Sequence, residues 1–185
     1  MKSSTPVLVA VLAIAVLCGC TQKDPVVIPE PEPSSAPIFE SDEEALAAAE
    51  VAYGEYLKVS DAILKDGGRD PDRIRAVASE NQAQAEIEGS QETMDEGKRG
   101  IGRSAFDRMS LQQYAPDSPE GKSIVTAYAC LDLSGTDILD ATGRSVLASD
   151  RPDVVPVELT FDADVQKRTL IVSSLGVWSG DNFCD

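Results

Sequence analysis

SIVTAYACLDLS, residues 123–134, decides the fold class. Val125, Ala127, Ala129, Leu131 and Leu133 alternate without a break against Thr126, Tyr128, Cys130 and Asp132. A period of two marks a β-strand with one buried face. VVPVELTFD, residues 154–162, repeats the pattern with Val155, Val157, Leu159 and Phe161 inward and Pro156, Glu158, Thr160 and Asp162 outward. TLIVSSLGVW, residues 169–178, is another clear strand. RSAFDRMSLQQYA, residues 103–115, alternates poorly and reads as an irregular strand with a bulge. Between the strands at 123–134 and 154–162, DILDATGRSVL carries a turn signal at Thr142 and Gly143 and is expected to fold back as a small hairpin.

Upstream the period changes to that of a helix. SDEEALAAAEVAYGEYLKVSDAILK, residues 41–65, opens with Ser41 and Glu44 in a capping-box pattern. Leu46, Ala49, Tyr53, Leu57, Ser60 and Leu64 then recur at three and four, which gives one mainly apolar face. Gly67 and Gly68 end this helix. Asp70 and Pro71 start a short second helix carrying Ile74 and Val77, with Pro at the first helical position. A third helix begins at Ser79, with a thin stripe of Ala83, Ile87 and Met94. Three helices followed by an antiparallel meander with one apolar face imply an α+β domain, the helices covering the core side of a curved sheet of about four strands.

The amino terminus has a different character. Lys2 precedes VLVAVLAIAVL, residues 7–17, an unbroken apolar run. Crossing about 30 Å of hydrocarbon takes about 20 apolar residues, so the run is too short to span a membrane. It has the length of a signal-peptide core. Leu17, Gly19 and Cys20 within LCGC resemble the lipobox of bacterial lipoproteins, in which the cysteine is acylated with a diacylglycerol and the chain is cut before it. An ordinary secretory signal is the alternative. A Cys18–Cys20 metal clip would need further Cys or His ligands, and the chain has no histidine. Residues 21–40 contain Pro25, Pro29, Pro31, Pro33 and Pro37, a composition for an extended tether of up to about 60 Å. The expected organisation is thus a signal peptide at 1–19, lipidated Cys20 and tether at 20–40, and one domain at 41–185.

Four cysteines are present in all. With Cys18 lost and Cys20 acylated, Cys130 and Cys184 remain, and an even pair in an exported domain reads as one disulfide. Two separate thiols are the alternative. Removal of residues 1–19 takes Lys2 with it and moves the formal net charge from −16 to −17. Such a surface repels nucleic acid and anionic lipid and favours either simple solubility or cationic partners. DADV at 162–165 and TDILD at 136–140 lack the spacing of a calcium loop.

The phrases VTAYACLDLSGTDILDATGR, SDRPDVVPVELTF and VSSLGVWSGDNFC, together with the order of elements, resemble a family of small lipoproteins from high-GC Gram-positive bacteria. The resemblance covers residues 17–185 in outline and 125–184 most closely. It implies a lipobox, a Pro-rich tether and a cystatin-like, nuclear transport factor 2-like cone domain, with the hairpin often found between the second and third helices absent. It also implies cysteines at the positions of Cys130 and Cys184.

That fold hosts enzymes, adaptors and inert binding modules alike, so function has to be argued from the site. Enzymes of the superfamily use an acid or base inside the cone. Here Asp107 and Asp132 are the candidate carboxylates, each read more naturally as solvated. Tyr53, Leu57 and Trp178 are candidate pocket-lining residues. There is no G-x-S-x-G elbow, no P-loop and no His, which excludes Ser/His and zinc-hydrolase chemistry. No metal and no cofactor is implied. The expectation is a membrane-anchored extracytoplasmic lipoprotein that binds a small ligand or an envelope protein without catalysis. The alternative is a cone-fold lyase or isomerase acting on a small apolar substrate through a buried carboxylate.

Overall fold

In the computed structural model, which describes residues 37–164 and 166–184, the chain forms helices first and strands afterwards. The segment expected to be a signal peptide, the expected lipidation site at Cys20 and the expected tether up to residue 36 lie outside the described residues.

Helix α1 runs over Asp42–Lys65. The Ser41 side chain accepts from the Glu44 amide at 3.2 Å, and the Glu44 carboxylate accepts from the Glu40 amide at 2.7 Å. The reciprocal bond of the capping box is therefore displaced by one residue. A short 3₁₀ helix, Pro71–Ala76, stands where the second helix is expected, and α2 spans Glu80–Asp95 behind an N-cap at Ser79. The strands are β1 (Arg99–Gly102), β2 (Ala105–Tyr114), β3 (Val125–Asp132), β4 (Thr136–Leu139), β5 (Val154–Asp164) and β6 (Thr169–Val177).

Strands β2, β3, β5 and β6 make one antiparallel sheet in the order β2-β3-β5-β6. The poor alternation of β2 has its counterpart in two register shifts, with Arg108 at φ +50 inside the first. At the other edge, Ser79 donates to the Val172 carbonyl and Val172 to the Val77 carbonyl, so the segment leading into α2 covers β6. Covering an edge in this way blocks further strand addition.

The remaining strands form a separate two-stranded ribbon, β1 with β4, packed beside α1. The hairpin expected within 137–147 is only partly formed. Asp140 and Arg144 close the turn at Thr142 and Gly143, but β4 takes β1 as its main partner. RGIG has no apolar alternation to announce a strand. Its glycines serve close approach instead. A Cβ on Gly100 would stand 2.9 Å from Leu64 Cβ, and one on Gly102, at φ +84, would stand 1.8 Å from the Gly135 carbonyl oxygen.

The core lies between α1 and the sheet. Val125, Ala127, Ala129, Val157, Leu159 and Phe161 are buried as the alternation requires. On α1 the buried apolar set is Ala45, Ala49, Ala52, Tyr53, Tyr56, Leu57 and Ile63, while Leu46 and Leu64 are half-buried. Each large side chain removed from water here stabilises by about 1.5–3 kcal/mol before entropy is subtracted. On α2, Ala83 is buried and Met94 is exposed. Ile38 and Phe39 join the core as well, so the folded body begins upstream of Ser41. Tyr114 holds them in place: its hydroxyl accepts from the Phe39 amide at 3.0 Å and donates to the Phe39 carbonyl at 2.8 Å.

Candidate functional site

Alternation along β3 points Cys130 and Tyr128 to the outer face of the sheet, away from α1. The carboxy-terminal tail crosses that face. Cys130 and Cys184 are disulfide-bonded, with Cα atoms 5.6 Å apart, and both are buried. Arg108 donates to the Cys184 carbonyl. Trp178 and Phe183 pack on Tyr128 with ring centroids 4.8 and 5.6 Å away. Trp178 thus lies across the sheet from the other two candidate pocket residues.

Tyr53 and Leu57 face the core from α1. Tyr53 sits between Phe106, 4.8 Å away by ring centroids, and Tyr56, 6.3 Å away. Its hydroxyl has no hydrogen-bond partner among the described residues, and burial pushes its pKa far up. Leu57 reaches the edge of a 370 Å³ cleft shared with Gly54, Lys58, Arg103 and Phe106. The space between α1 and the sheet is occupied by these side chains.

The two candidate carboxylates fall outside that space. Asp107 pairs in register with Cys130, is exposed and meets the Arg108 guanidinium at 3.2 Å. Asp132 accepts from the Ser134 amide at 2.8 Å, and hydrogen bonding from Ser134 holds its pKa below the usual carboxylate range.

Among the described residues two other acids are buried. Asp162, outward by alternation, is nevertheless 5% exposed because the segment before β3 folds over it. Lys122 Nζ donates to it at 2.8 Å and the Ser123 amide at 2.9 Å. Burial raises its pKa, but hydrogen bonds from Lys122, Ser123 and Ser173 outweigh this and hold it below the usual carboxylate range. A lowered pKa means stability that is complete above about pH 4 and lost as pH falls through the folded value. Asp162→Asn is therefore expected to cost about 1–3 kcal/mol at pH 7. In denaturant melts from neutral to strongly acidic pH, the deficit against wild type should shrink below about pH 4, where the native carboxyl also protonates. A deficit independent of pH would refute the ion-pair account.

The second buried acid, Asp61, belongs to a pocket of 190 Å³ between α1 and the β1–β4 ribbon. Its Oδ2 accepts from the Ser104 amide at 2.9 Å and its Oδ1 from Ser104 Oγ at 2.8 Å. Arg151 lines the same pocket, with Nη2 donating to the Leu133 and Thr136 carbonyls at 3.0 and 3.2 Å. Asp61 stands four residues after Leu57 and three before Leu64, an acid placed on the apolar stripe of a helix. That spacing was the available sequence signal for it.

A groove of 530 Å³ lies among α1, the 3₁₀ helix and the β5–β6 turn. Ala47, Ala48, Val51, Leu170 and Ile171 line it, and Val51 is 69% exposed. Glu44, Glu55, Asp164, Lys167 and Arg168 form its rim. Lys167 Nζ is 2.7 Å from Asp164, and Arg168 donates to the Ile38 carbonyl.

No protein-family model and no curated protein sequence matches this chain. Its fold has relatives among solved structures. The intermembrane space region of the chloroplast protein ARC6 is similar with a TM-score of 0.51 at 11% identity, over 73% of this chain and 97% of that one. Aln2 from a Streptomyces species aligns at a TM-score of 0.43 and 15% identity, over 75% of this chain and 92% of that one. A de novo designed β-sheet protein aligns at 0.33 and 12% identity, over 77% and 94%. At such identities the likeness to the ARC6 region concerns the fold alone: helices packed on an open antiparallel sheet. Among the described residues no helix is long and apolar enough to cross a membrane.

Proposed function

We propose that this chain is an extracytoplasmic lipoprotein, held at the cell membrane by a diacylglycerol on Cys20, whose cystatin-like or nuclear transport factor 2-like cone domain binds a partner without catalysis. The observation that carries the binding reading is the apolar groove beside Val51, set against a core already filled by Tyr53, Tyr56 and Phe161. A mainly apolar cleft of this volume with a few charged groups at its edge has the character of a binding site. The occupant that fits is a segment of an envelope protein combining apolar and basic side chains. Apolar groups match Ala48, Val51 and Ile171, and basic groups match the formal net charge of −16 on the chain, with Lys167 and Arg168 offsetting part of the charge of the three rim carboxylates.

The lyase or isomerase reading draws on Asp61, a buried acid in a mainly apolar pocket. It is the weaker one. Both oxygens of Asp61 already accept hydrogen bonds from Ser104.

A photocrosslinking residue at position 51, compared with one at exposed Glu88, tests the groove in intact cells. The expected result is a position-51 adduct with a different polypeptide, weakened by high salt because the rim charges are screened. An adduct of twice the chain mass would reassign the groove to a second copy. No adduct beyond that at position 88 would remove the groove from consideration.

A further inference from the structure

The pocket under the β1–β4 ribbon is built differently from the groove. It is small, and its walls carry charges of both signs: Asp61 and Asp137 against Lys65 and Arg151. Leu64, Ile101, Leu133, Ile138 and Leu147 supply apolar side chains. Asp61 is 8% exposed, and none of the ion pairs among the described residues engages it. A buried carboxylate without a counter-charge is costly, and this one has roughly four acceptor sites of which Ser104 uses two. Arg151 in turn places its Nη1 on Thr136 Oγ1 at 3.4 Å and its Nη2 on the Leu133 and Thr136 carbonyls. A guanidinium carries about five N–H donors, so part of its capacity is unspent.

A simple cation entering here meets Lys65 and Arg151, and a simple anion meets Asp61 and Asp137. A molecule carrying both signs meets a partner for each. Volume narrows the choice further: an apolar cavity of about 150 Å³ accepts benzene, which scales to about eight non-hydrogen atoms for this pocket. The framework is held by close backbone approaches, since Gly100 packs on Leu64 and Gly102 on Gly135 without room for a Cβ. We propose that this pocket binds a small branched-chain α-amino acid as its zwitterion. The ammonium group donates to Asp61, the carboxylate accepts from Arg151, and the branched side chain lies against Leu64, Ile101 and Ile138. Free valine has the required atom count and charge pattern.

The test is calorimetric titration of the full chain with L-valine, alongside 2-methylpropylamine and 3-methylbutanoate, each of which lacks one charge. Saturable valine binding with a Kd of order 0.1–1 mM is expected, with each single-charge analogue at least about tenfold weaker. Asp61→Asn should weaken valine by a similar factor. Leu147→Trp, which fills the pocket and leaves every charged group in place, should abolish binding while the far-ultraviolet circular dichroism stays that of wild type. Absence of saturable valine heat, an analogue that binds as well as valine, or undiminished binding by Leu147→Trp would each overturn the assignment. The groove at Val51 plays no part in this site, so position-51 crosslinking is unaffected by either outcome.

Discussion

Cys20→Ala is expected to move the protein completely from the membrane fraction to the soluble one, while Cys18→Ala leaves it membrane-bound. Transfer of acyl chains into the bilayer gains about 0.8 kcal/mol per CH₂, and two chains are the condition for stable anchoring. Among the described residues no helix is long and apolar enough to replace that attraction. On the proposed processing, the apolar run at 7–17 leaves with the signal peptide, and the remaining chain carries a net charge of −17, with Lys2 removed from the −16 of the whole chain, which anionic lipid repels. The two cysteines differ in what precedes them: Gly19 stands before Cys20, and Leu17 before Cys18. Fractionation with and without detergent, combined with metabolic acyl labelling, reads the result directly. A Cys20→Ala protein that still needs detergent for extraction would defeat the lipid assignment.

Removing the Cys130–Cys184 bridge should cost about 4 kcal/mol. The two cysteines are 54 residues apart in sequence, and closing a loop of that size restricts the unfolded ensemble by about that much on the chain-entropy model. For a domain of this size the loss corresponds to about 10–20 °C in Tm. A local consequence follows from the packing. The bridge and the Arg108 bond to the Cys184 carbonyl hold the tail against β3, where Trp178 and Phe183 cover Tyr128. Cys130→Ala with Cys184→Ala should therefore red-shift the emission of the single tryptophan as well as lower Tm. A Tm unchanged by reductant, together with recovery of two alkylatable thiols from the native protein, would contradict this.

How far the fold was legible varies from element to element. Strands β3 and β5 were legible in their inward positions, because one face of each is buried in the core and an alternating pattern records that directly. The bulged β2 was legible as an irregularity, though not where its register shifts fall. The apolar face of α1 was placed one or two positions off in part. The helix presses small and aromatic residues, Ala45, Ala49, Ala52, Tyr53 and Tyr56, against the sheet and leaves Leu46 half-buried at the margin. Asp162 had the outward position of a solvated residue and became buried because Lys122 and Ser123 fold over it from a turn roughly forty positions earlier. Trp178, a candidate pocket residue beside Tyr53 and Leu57, follows β6 and packs on the opposite face of the sheet, onto Tyr128.

By itself the sequence determined the two long helices, the four strands of the main sheet, their order along the chain, and which face of each central strand is apolar. Those properties are local: backbone periodicity writes them into every second or every third to fourth residue. Only the tertiary structure decided that β4 takes β1 rather than its own continuation as partner, that Ser104 reaches Asp61 across 43 positions, and that Arg151 closes the same pocket. Such meetings depend on how loops close and surfaces fit over long separations, and RGIG, Ser104 and Arg151 carry no periodic signal of the neighbours they acquire.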